Sequence, residues 1–145
     1  MRKIVTDSSV IVKWLNRDNE PHLEEADLIL QEVQSGKAAL LTPELAKYEV
    51  GNALLKKGLT QAQAFQSLGT IYSLPLQFVS ETEELAAQTY QMAEEVRSEG
   101  NTKFTYYDAA FTALAKQENA VLITDNPKHQ TKIKNVKVLP LERYK

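Results

Sequence analysis

Four acidic residues of this 145-residue sequence differ from ordinary surface carboxylates in their surroundings. Asp7 and Asp125 each directly follow a short β-branched and apolar run, which is typical of a buried strand. Asp108 lies among apolar and small residues at the start of a helical pattern. Glu49 shares a helix line with Leu45 and an alanine at i+4 instead of with charged residues. We therefore treat these four as candidates for catalytic chemistry.

A cluster formed by these carboxylates would repel itself strongly unless a cation bound to it. Oxygen ligands without thiolate or imidazole suit Mg²⁺ or Mn²⁺, which keep several waters and bind phosphate oxygens. Such an ion can activate water and stabilise the departing oxygen of a phosphodiester. The chemistry predicted for a shared site is therefore metal-dependent phosphodiester hydrolysis.

Each acid also has a purely structural interpretation when it is considered alone. Thr105 and Asp108 have the spacing of a capping box, and Asp7 or Asp125 could cap a helix or form an Asx turn. Glu49 has no Lys or Arg at i±3 or i±4, so it needs a partner in space or a proton. The functional interpretation depends on whether the fold brings the four together.

The composition excludes several other kinds of site. The sequence has no cysteine and only two histidines, one near each end, so neither a disulfide nor a zinc site is expected. No apolar run approaches the length of a membrane span, and no export signal is evident. We expect a cytoplasmic protein without membrane contact.

The net charge of -2 conceals an asymmetry along the chain. Residues 1–99 carry nine Lys/Arg and fifteen Asp/Glu, whereas residues 100–145 carry eight and four. This distribution argues against a broadly basic nucleic-acid binder. Any contact with phosphate should be local or assisted by a metal ion.

The hydrophobic pattern predicts strands that alternate with helices. Buried strands are predicted at residues 2–7, 38–43, 75–80, 119–124 and 135–140. Helices are predicted at 8–15 (capped by Ser8 or Ser9), 21–36, 43–58 (opened by Pro43), 60–74, 81–100 and 102–117, with a short helix after the turn "DNPKH". This alternation implies a parallel sheet covered on both faces, in one domain spanning 1–145, with sites at the carboxyl ends of the strands.

Four segments of the chain together resemble a known family. The segments "IVTDSSVIVKWL", "TPELAKYEVGNALLK", "TYYDAAFTALAKQENAVLITDN" and "VKVLPL" are similar to the signature segments of PIN-domain nucleases, especially VapC-like toxins of toxin–antitoxin pairs. The resemblance implies a three-layer α/β/α fold around a five-stranded, mostly parallel sheet. It also implies Mg²⁺- or Mn²⁺-dependent endoribonuclease activity on an RNA substrate, frequent homodimers, and a cognate antitoxin whose tail occupies the acidic cleft.

The same resemblance suggests a role for individual residues. Asp7, Glu49 and Asp108 would be metal ligands, and Ser9 and Thr105 would support the ligands or the attacking water. The fourth position is open, because many members carry it two residues after the strand-ending Thr, where this chain has Asn126 and not Asp125. We favour Asp125 because it supplies charge, with Asn126 as a neutral donor to water or phosphate.

A basic segment follows the last of these residues. Four lysines and His129 fall within residues 128–137, and Lys128, Lys132 and Lys134 could contact phosphate or an acidic partner. The alternative is an ordinary solvated face.

Two other functions remain in the sequence interpretation. A catalytically silent module of the same fold could bind RNA or protein. A phosphoacceptor receiver domain shares the layout, but it needs adjacent acids after the first strand and a Lys after the fifth, and this chain has neither.

Overall fold

The computed structural model describes residues 1–129 and 132–145. Its strands and helices are β1 (Arg2–Thr6), α1 (Ser8–Leu15), α2 (Leu23–Gln34), β2 (Ala38–Pro43), α3 (Ala46–Lys56), α4 (Gln61–Thr70), β3 (Gln77–Val79), α5 (Glu83–Ser98), α6 (Tyr106–Gln117), β4 (Val121–Thr124) and β5 (Lys137–Pro140). Three short 3-10 helices lie at Ile71–Ser73, Pro127–His129 and Leu141–Arg143. The predicted alternation of strands and helices is confirmed.

The five strands form one sheet in the order β3-β2-β1-β4-β5, and every pairing is parallel. This order differs from the 2-1-3-4-5 order of flavodoxin-like sheets, to which receiver domains belong. The receiver alternative is therefore excluded by topology as well as by its missing residues.

Alternating residues of the strands supply two apolar cores, one on each face of the sheet. Val5, Leu41 and Leu122 are in register and join a core that includes side chains of α3, α5 and α6. Ile4 and Leu40, which point the other way, join a core with side chains of α2 and the C-terminal 3-10 helix. Burying each such aliphatic side chain contributes about 1.5–3 kcal/mol, so both helix layers are held firmly on the sheet.

Most of the predicted helices extend a few residues beyond the observed ones, and three further differences have local causes. Pro43 ends β2 instead of opening α3. The pairing of β2 with β1 ends at Leu41, so a proline, which has no backbone N–H, is tolerated at position 43. Asp7 caps α1 by accepting from the Ser9 backbone N–H, so neither predicted serine is the cap. The short helix predicted after "DNPKH" falls partly on residues 130 and 131, outside the described residues, and an isolated bridge joins Ile133 to Val136.

The connections leave β1 in one direction along the sheet, towards β2, while β4 lies on its other side. The carboxyl ends of β1 and β4 are therefore neighbours at a topological switch point, which is where open α/β sheets bind ligands. None of the described helices is long and apolar enough to cross a membrane.

Candidate active site

Asp7 is completely buried at the carboxyl end of β1, and four donors surround its carboxylate. Oδ1 accepts from the Ser9 backbone N–H at 3.1 Å and from the Ser9 hydroxyl. Oδ2 accepts from the Thr124 hydroxyl and lies 2.6 Å from Nδ1 of His129. Ser9 and Thr124 thus fix the carboxylate in one orientation, while the role of Ser9 in supporting a metal ligand stays a prediction.

Asp108 lies in the first turn of α6, and its two oxygens make different contacts. Oδ2 accepts from the Thr105 backbone N–H at 2.9 Å, and the Thr105 hydroxyl accepts from the Asp108 N–H at 3.0 Å. The predicted capping box is therefore present. Oδ1 lies 2.6 Å from Nε2 of His129. Burial raises the pKa of Asp108, but hydrogen bonds from His129 and Thr105 outweigh it and hold the pKa below its usual value.

His129 bridges these two carboxylates from the 3-10 helix that follows β4. Its ring donates to Asp7 on one side and Asp108 on the other, and it stacks on Phe111 with ring centroids 5.9 Å apart. Burial lowers the pKa of His129, but the hydrogen bonds and charges of Asp108 and Asp7 raise it to about 10. The imidazolium therefore neutralises part of the acidic cluster.

Glu49 projects from α3 into the same region. Its Oε1 is buried and has no hydrogen-bond partner, one of only two such side-chain atoms among the described residues. Burial raises the pKa of Glu49, the charges of Asp7 and Asp108 act in the same direction, and His129 opposes them. A buried carboxylate oxygen without a donor is suited to receive a cation.

Three of these side chains, Glu49, Asp108 and His129, border a cleft of about 560 Å³. The cleft is also lined by Ser8 at the start of α1 and by residues of the segments that precede α6 and follow β4: Asn101, Lys103, Phe104, Thr105, Asn126, Pro127 and Lys128. Exposed lysines at positions 103 and 128 thus border an otherwise acidic centre. Such an arrangement can bring a phosphate group to the carboxylates.

The structure separates Asp125 from Asn126. The Asp125 carboxylate pairs with Nζ of Lys13 at 2.8 Å, and the Lys13 side chain is only 1% exposed and also contacts Glu20. Asn126 lines the cleft, and its Oδ1 accepts from the Lys128 backbone N–H at 3.0 Å. The preference for Asp125 at the fourth position does not match this placement, because its carboxylate is one of two that pair with the buried Lys13.

The three lysines predicted as phosphate contacts occupy different places. Lys128 lines the cleft, whereas Lys132 and Lys134 are exposed and are not among the described residues that line it.

Sequence reasoning missed His129, Thr124, Lys103 and Lys13 as participants. The neighbouring lysines place His129 in the basic segment of the sequence, yet it follows β4 by only five residues. That position is at the edge of the sheet where Asp7 lies. Proximity to a strand end was therefore the signal that could have identified His129.

The donors present fit a divalent ion chemically, although they are not arranged around one. Asp7, Asp108 and Glu49 supply carboxylate oxygens, including the unpartnered Oε1 of Glu49. Within the described residues, no three His, Asp or Glu side chains have the geometry of a metal site. The ring of His129 lies between the two aspartates.

Comparison with solved structures gives the same fold. The chain is similar to the VapBC2 structure from Rickettsia felis bound to a promoter DNA fragment, with a TM-score of 0.72, 17% identity, and coverage of 95% of this chain and 98% of that one. The DNA-bound VapBC structure from Salmonella typhimurium has a TM-score of 0.70 and 15% identity, with coverage of 97% of this chain and 99% of that one. Mycobacterium tuberculosis VapC20, described as a Sarcin-Ricin loop cleaving toxin, has a TM-score of 0.62 and 14% identity, with coverage of 92% of this chain and 98% of that one.

Sequence comparison identifies the family. A search of curated protein sequences gave no match. The family model of the PIN domain matches residues 4–135, which begin within β1, extend beyond β4 and include every residue that lines the cleft. This chain therefore belongs to the PIN domain family.

Proposed function

We propose that this protein is a divalent-metal-dependent endoribonuclease and the toxin of a toxin–antitoxin pair. The observation that carries the proposal is that Asp7 and Asp108 contact the two sides of one His129 ring, while the unpartnered oxygen of Glu49 belongs to a residue that lines the same cleft as Asp108 and His129. These residues come from β1, α6 and α3, so only the fold brings them together.

Asp7, Glu49 and Asp108 would hold the metal ion, for which Mg²⁺ and Mn²⁺ best suit the carboxylate donors. A bound divalent ion supplies Lewis-acid activation of water and of the scissile phosphate. The chain's own contribution is to orient the ligands: Ser9 and Thr124 fix Asp7, and Thr105 fixes Asp108. Rigid ligands reduce the reorganisation that a metal site otherwise requires.

We assign the fourth position to Asn126 instead of Asp125. Asn126 lines the cleft, whereas the Asp125 carboxylate pairs with Lys13. An amide side chain there can donate to water or phosphate without adding negative charge to an already acidic centre.

RNA is the substrate that this proposal assigns. The support is family membership, the exposed lysines 103 and 128 beside the carboxylates, and the similarity in fold to a toxin that cleaves the Sarcin-Ricin loop. The two lysines would contact phosphates on either side of the scissile bond.

A cognate antitoxin and a second copy of this chain are the proposed protein partners. Several similar structures are toxin–antitoxin complexes, which supports the first. Both partners could bind at large apolar side chains that are exposed on α3, on α4 and just after α4. These are Tyr48, Leu55, Phe65 and Tyr72. Aromatic residues of this kind are enriched in protein interfaces.

The experiment is a cleavage assay on labelled single-stranded and hairpin RNA with Mg²⁺ or Mn²⁺. Asp7→Asn and Asp108→Asn should retain RNA binding and lose at least about a hundredfold in cleavage, because residues that merely support metal ligands are worth about 10–100-fold. Asp27→Asn is the matched control, since Asp27 pairs with Arg17 on the surface, outside the residues that line the cleft.

Cleavage that survives in both cleft variants would refute the metal mechanism. Wild-type protein that binds RNA but never cuts it, with either ion, would instead favour the catalytically silent binding module.

A further inference from the structure

Lys13 is a buried cation that joins two segments distant from each other in the sequence. Its side chain is 1% exposed. Nζ donates to Oε1 of Glu20 at 3.0 Å and to the Pro21 carbonyl at 2.8 Å, and it pairs with Oδ2 of Asp125 at 2.8 Å. An ammonium group has three N–H donors, so these three acceptors can use all of them. The side chain is therefore held from three directions.

Stability alone does not account for a lysine in this position. A buried ion pair adds little to stability compared with apolar side chains of the same size, because both charges lose hydration. The other buried residues of α1 are apolar, namely Val10, Ile11 and Val12. Lys13 is the exception on this helix, which indicates a role that depends on its charge.

Lys13 and Ser9 together hold Asp125 at two points. The two residues are four positions apart on α1 and therefore lie on the same face of that helix. The Asp125 backbone N–H donates to the Ser9 hydroxyl at 2.9 Å, while the Asp125 carboxylate pairs with Lys13. The helix thereby fixes both the backbone and the side chain of the residue that follows β4.

The turn after β4 orients the two hydroxyls that contact Asp7. The Ser9 hydroxyl accepts from the Asp125 backbone N–H and donates to Oδ1 of Asp7. The Thr124 hydroxyl accepts from the Asn126 backbone N–H at 3.0 Å and donates to Oδ2 of Asp7. A hydroxyl has a single proton, so each of these N–H groups leaves that proton directed at the carboxylate. The orientation of Asp7 therefore depends on the positions of residues 125 and 126.

We propose that Lys13 is a positioning residue for the metal ligand Asp7, acting through the Asp125 carboxylate and the turn at residues 124–126. This inference rests on the proposed function and deepens it, because it identifies a buried charge that sets the metal affinity of the site. None of the three acceptors of Lys13 is among the described residues that line the cleft. Its effect on the site is therefore indirect.

Lys57 is a matched control for the charge of Lys13. Its Nζ lies 2.9 Å from Oε2 of Glu20 and donates to the carbonyls of Asn16 and Asp18. Both lysines thus hold Glu20 and the segment after α1, but of the two only Lys13 pairs with Asp125. Loss of either lysine loosens that segment, whereas only loss of Lys13 releases the turn after β4.

The first test is backbone amide hydrogen exchange, followed by NMR, in the metal-free full-length protein. Wild type, Lys13→Met and Lys57→Met are compared, since methionine keeps most of the apolar stem of lysine. In Lys13→Met the amides of Asp125 and Asn126 should lose at least about tenfold of their protection, because the turn opens locally without its ionic anchor. In Lys57→Met the same amides should keep wild-type protection.

The second test is calorimetric titration of these three proteins with Mn²⁺. Lys13→Met should bind at least about tenfold more weakly than wild type, the lower end of what partners of metal ligands contribute. Lys57→Met should bind as wild type does. Equal affinities in the two variants would show a merely structural role and overturn the proposal. Tighter binding by Lys13→Met would also overturn it, because a freed Asp125 carboxylate would then be acting as a ligand.

A second variant, Asp125→Asn, covers a Lys13→Met protein that fails to fold. Lys13 keeps Glu20 and the Pro21 carbonyl as acceptors in this variant, and the backbone N–H of residue 125 remains. Amide protection at residues 125 and 126 and Mn²⁺ affinity should both fall as in Lys13→Met, because the same contact is lost. Wild-type values of both would overturn the proposal.

Failure of this inference and failure of the proposed function give different results. Unchanged amide protection in the folded variants, with Mn²⁺ bound as in wild type, overturns the role of Lys13 and leaves the metal site intact. Absence of Mn²⁺ binding in wild type refutes the proposed metal site, and the link from Lys13 to metal affinity falls with it.

Discussion

Asp108 combines a structural role with a position in the candidate site. One of its oxygens completes the capping box of α6, and the other faces the cleft and His129. The side chain is thereby fixed by its own helix, which leaves one oxygen in a defined orientation for a ligand. The structural and functional interpretations of this residue are compatible, because a carboxylate has two oxygens.

Asp125 and Asn126 are adjacent but face different surroundings, which gives a prediction at the scale of single residues. Asp125→Ala should lower the free energy of unfolding by about 1–3 kcal/mol, because the buried Lys13 loses a charged acceptor. Asn126→Ala should reduce RNA cleavage and leave stability nearly unchanged. Urea unfolding and the cleavage assay measure the two effects.

The reverse pattern would contradict the assignment of the fourth position. If folded Asp125→Ala protein lost cleavage while Asn126→Ala kept it, Asp125 would be the catalytic residue and Lys13 only its neighbour.

Among the helices, α6 carries the most direct link between local structure and the site. Its first turn is closed by Thr105 and Asp108, and residues from Ala109 to Ala115 are continuously buried. The buried stretch fixes the helix on the sheet, and the cap fixes its first turn. Asp108 therefore reaches the carboxyl edge of β1 in a constant position.

The capping boxes of α4 and α6 allow a matched test at the scale of elements. Thr105→Ala on α6 and Thr60→Ala on α4 should each cost about 1 kcal/mol of stability, since each removes the same kind of cap. Only Thr105→Ala should also weaken Mn²⁺ binding, by about tenfold, because it loosens the turn that holds Asp108. Thermal unfolding and calorimetry provide the two readouts.

A loss of Mn²⁺ affinity that is equal in the two variants would show that general destabilisation, and not the position of Asp108, sets the affinity. Unchanged affinity in both would show that the cap does not support the ligand.

At the scale of the whole molecule, the position of the site follows from the strand order. β1 and β4 are neighbours, and β2 and β5 lie on their outer sides, so the chain runs away from the β1–β4 pair in opposite directions along the sheet. The sequence predicted this edge well: strand ends were visible as apolar runs that stop at Asp7 and before Asp125. It also predicted the capping box, because its residues are three apart. Features that depend on the sequence of a single helix or strand can therefore be predicted.

Contacts between elements that are distant in the sequence cannot be predicted in this way. Lys13 and Asp125 are 112 positions apart, and nothing local marks Lys13 as a buried cation that would occupy that carboxylate. The sequence neighbours of His129 are lysines, which indicate a basic surface segment and not a buried position. Its packing on Phe111 and its two acidic partners appear only once β4 and α6 are placed together.

The most direct measurement is a crystal structure grown with Mn²⁺, with anomalous diffraction used to locate the ion. The account predicts a Mn²⁺ peak within coordination distance of Asp7, Asp108 and Glu49. Absence of a peak at these residues at saturating Mn²⁺, or a peak only elsewhere on the protein, would contradict it.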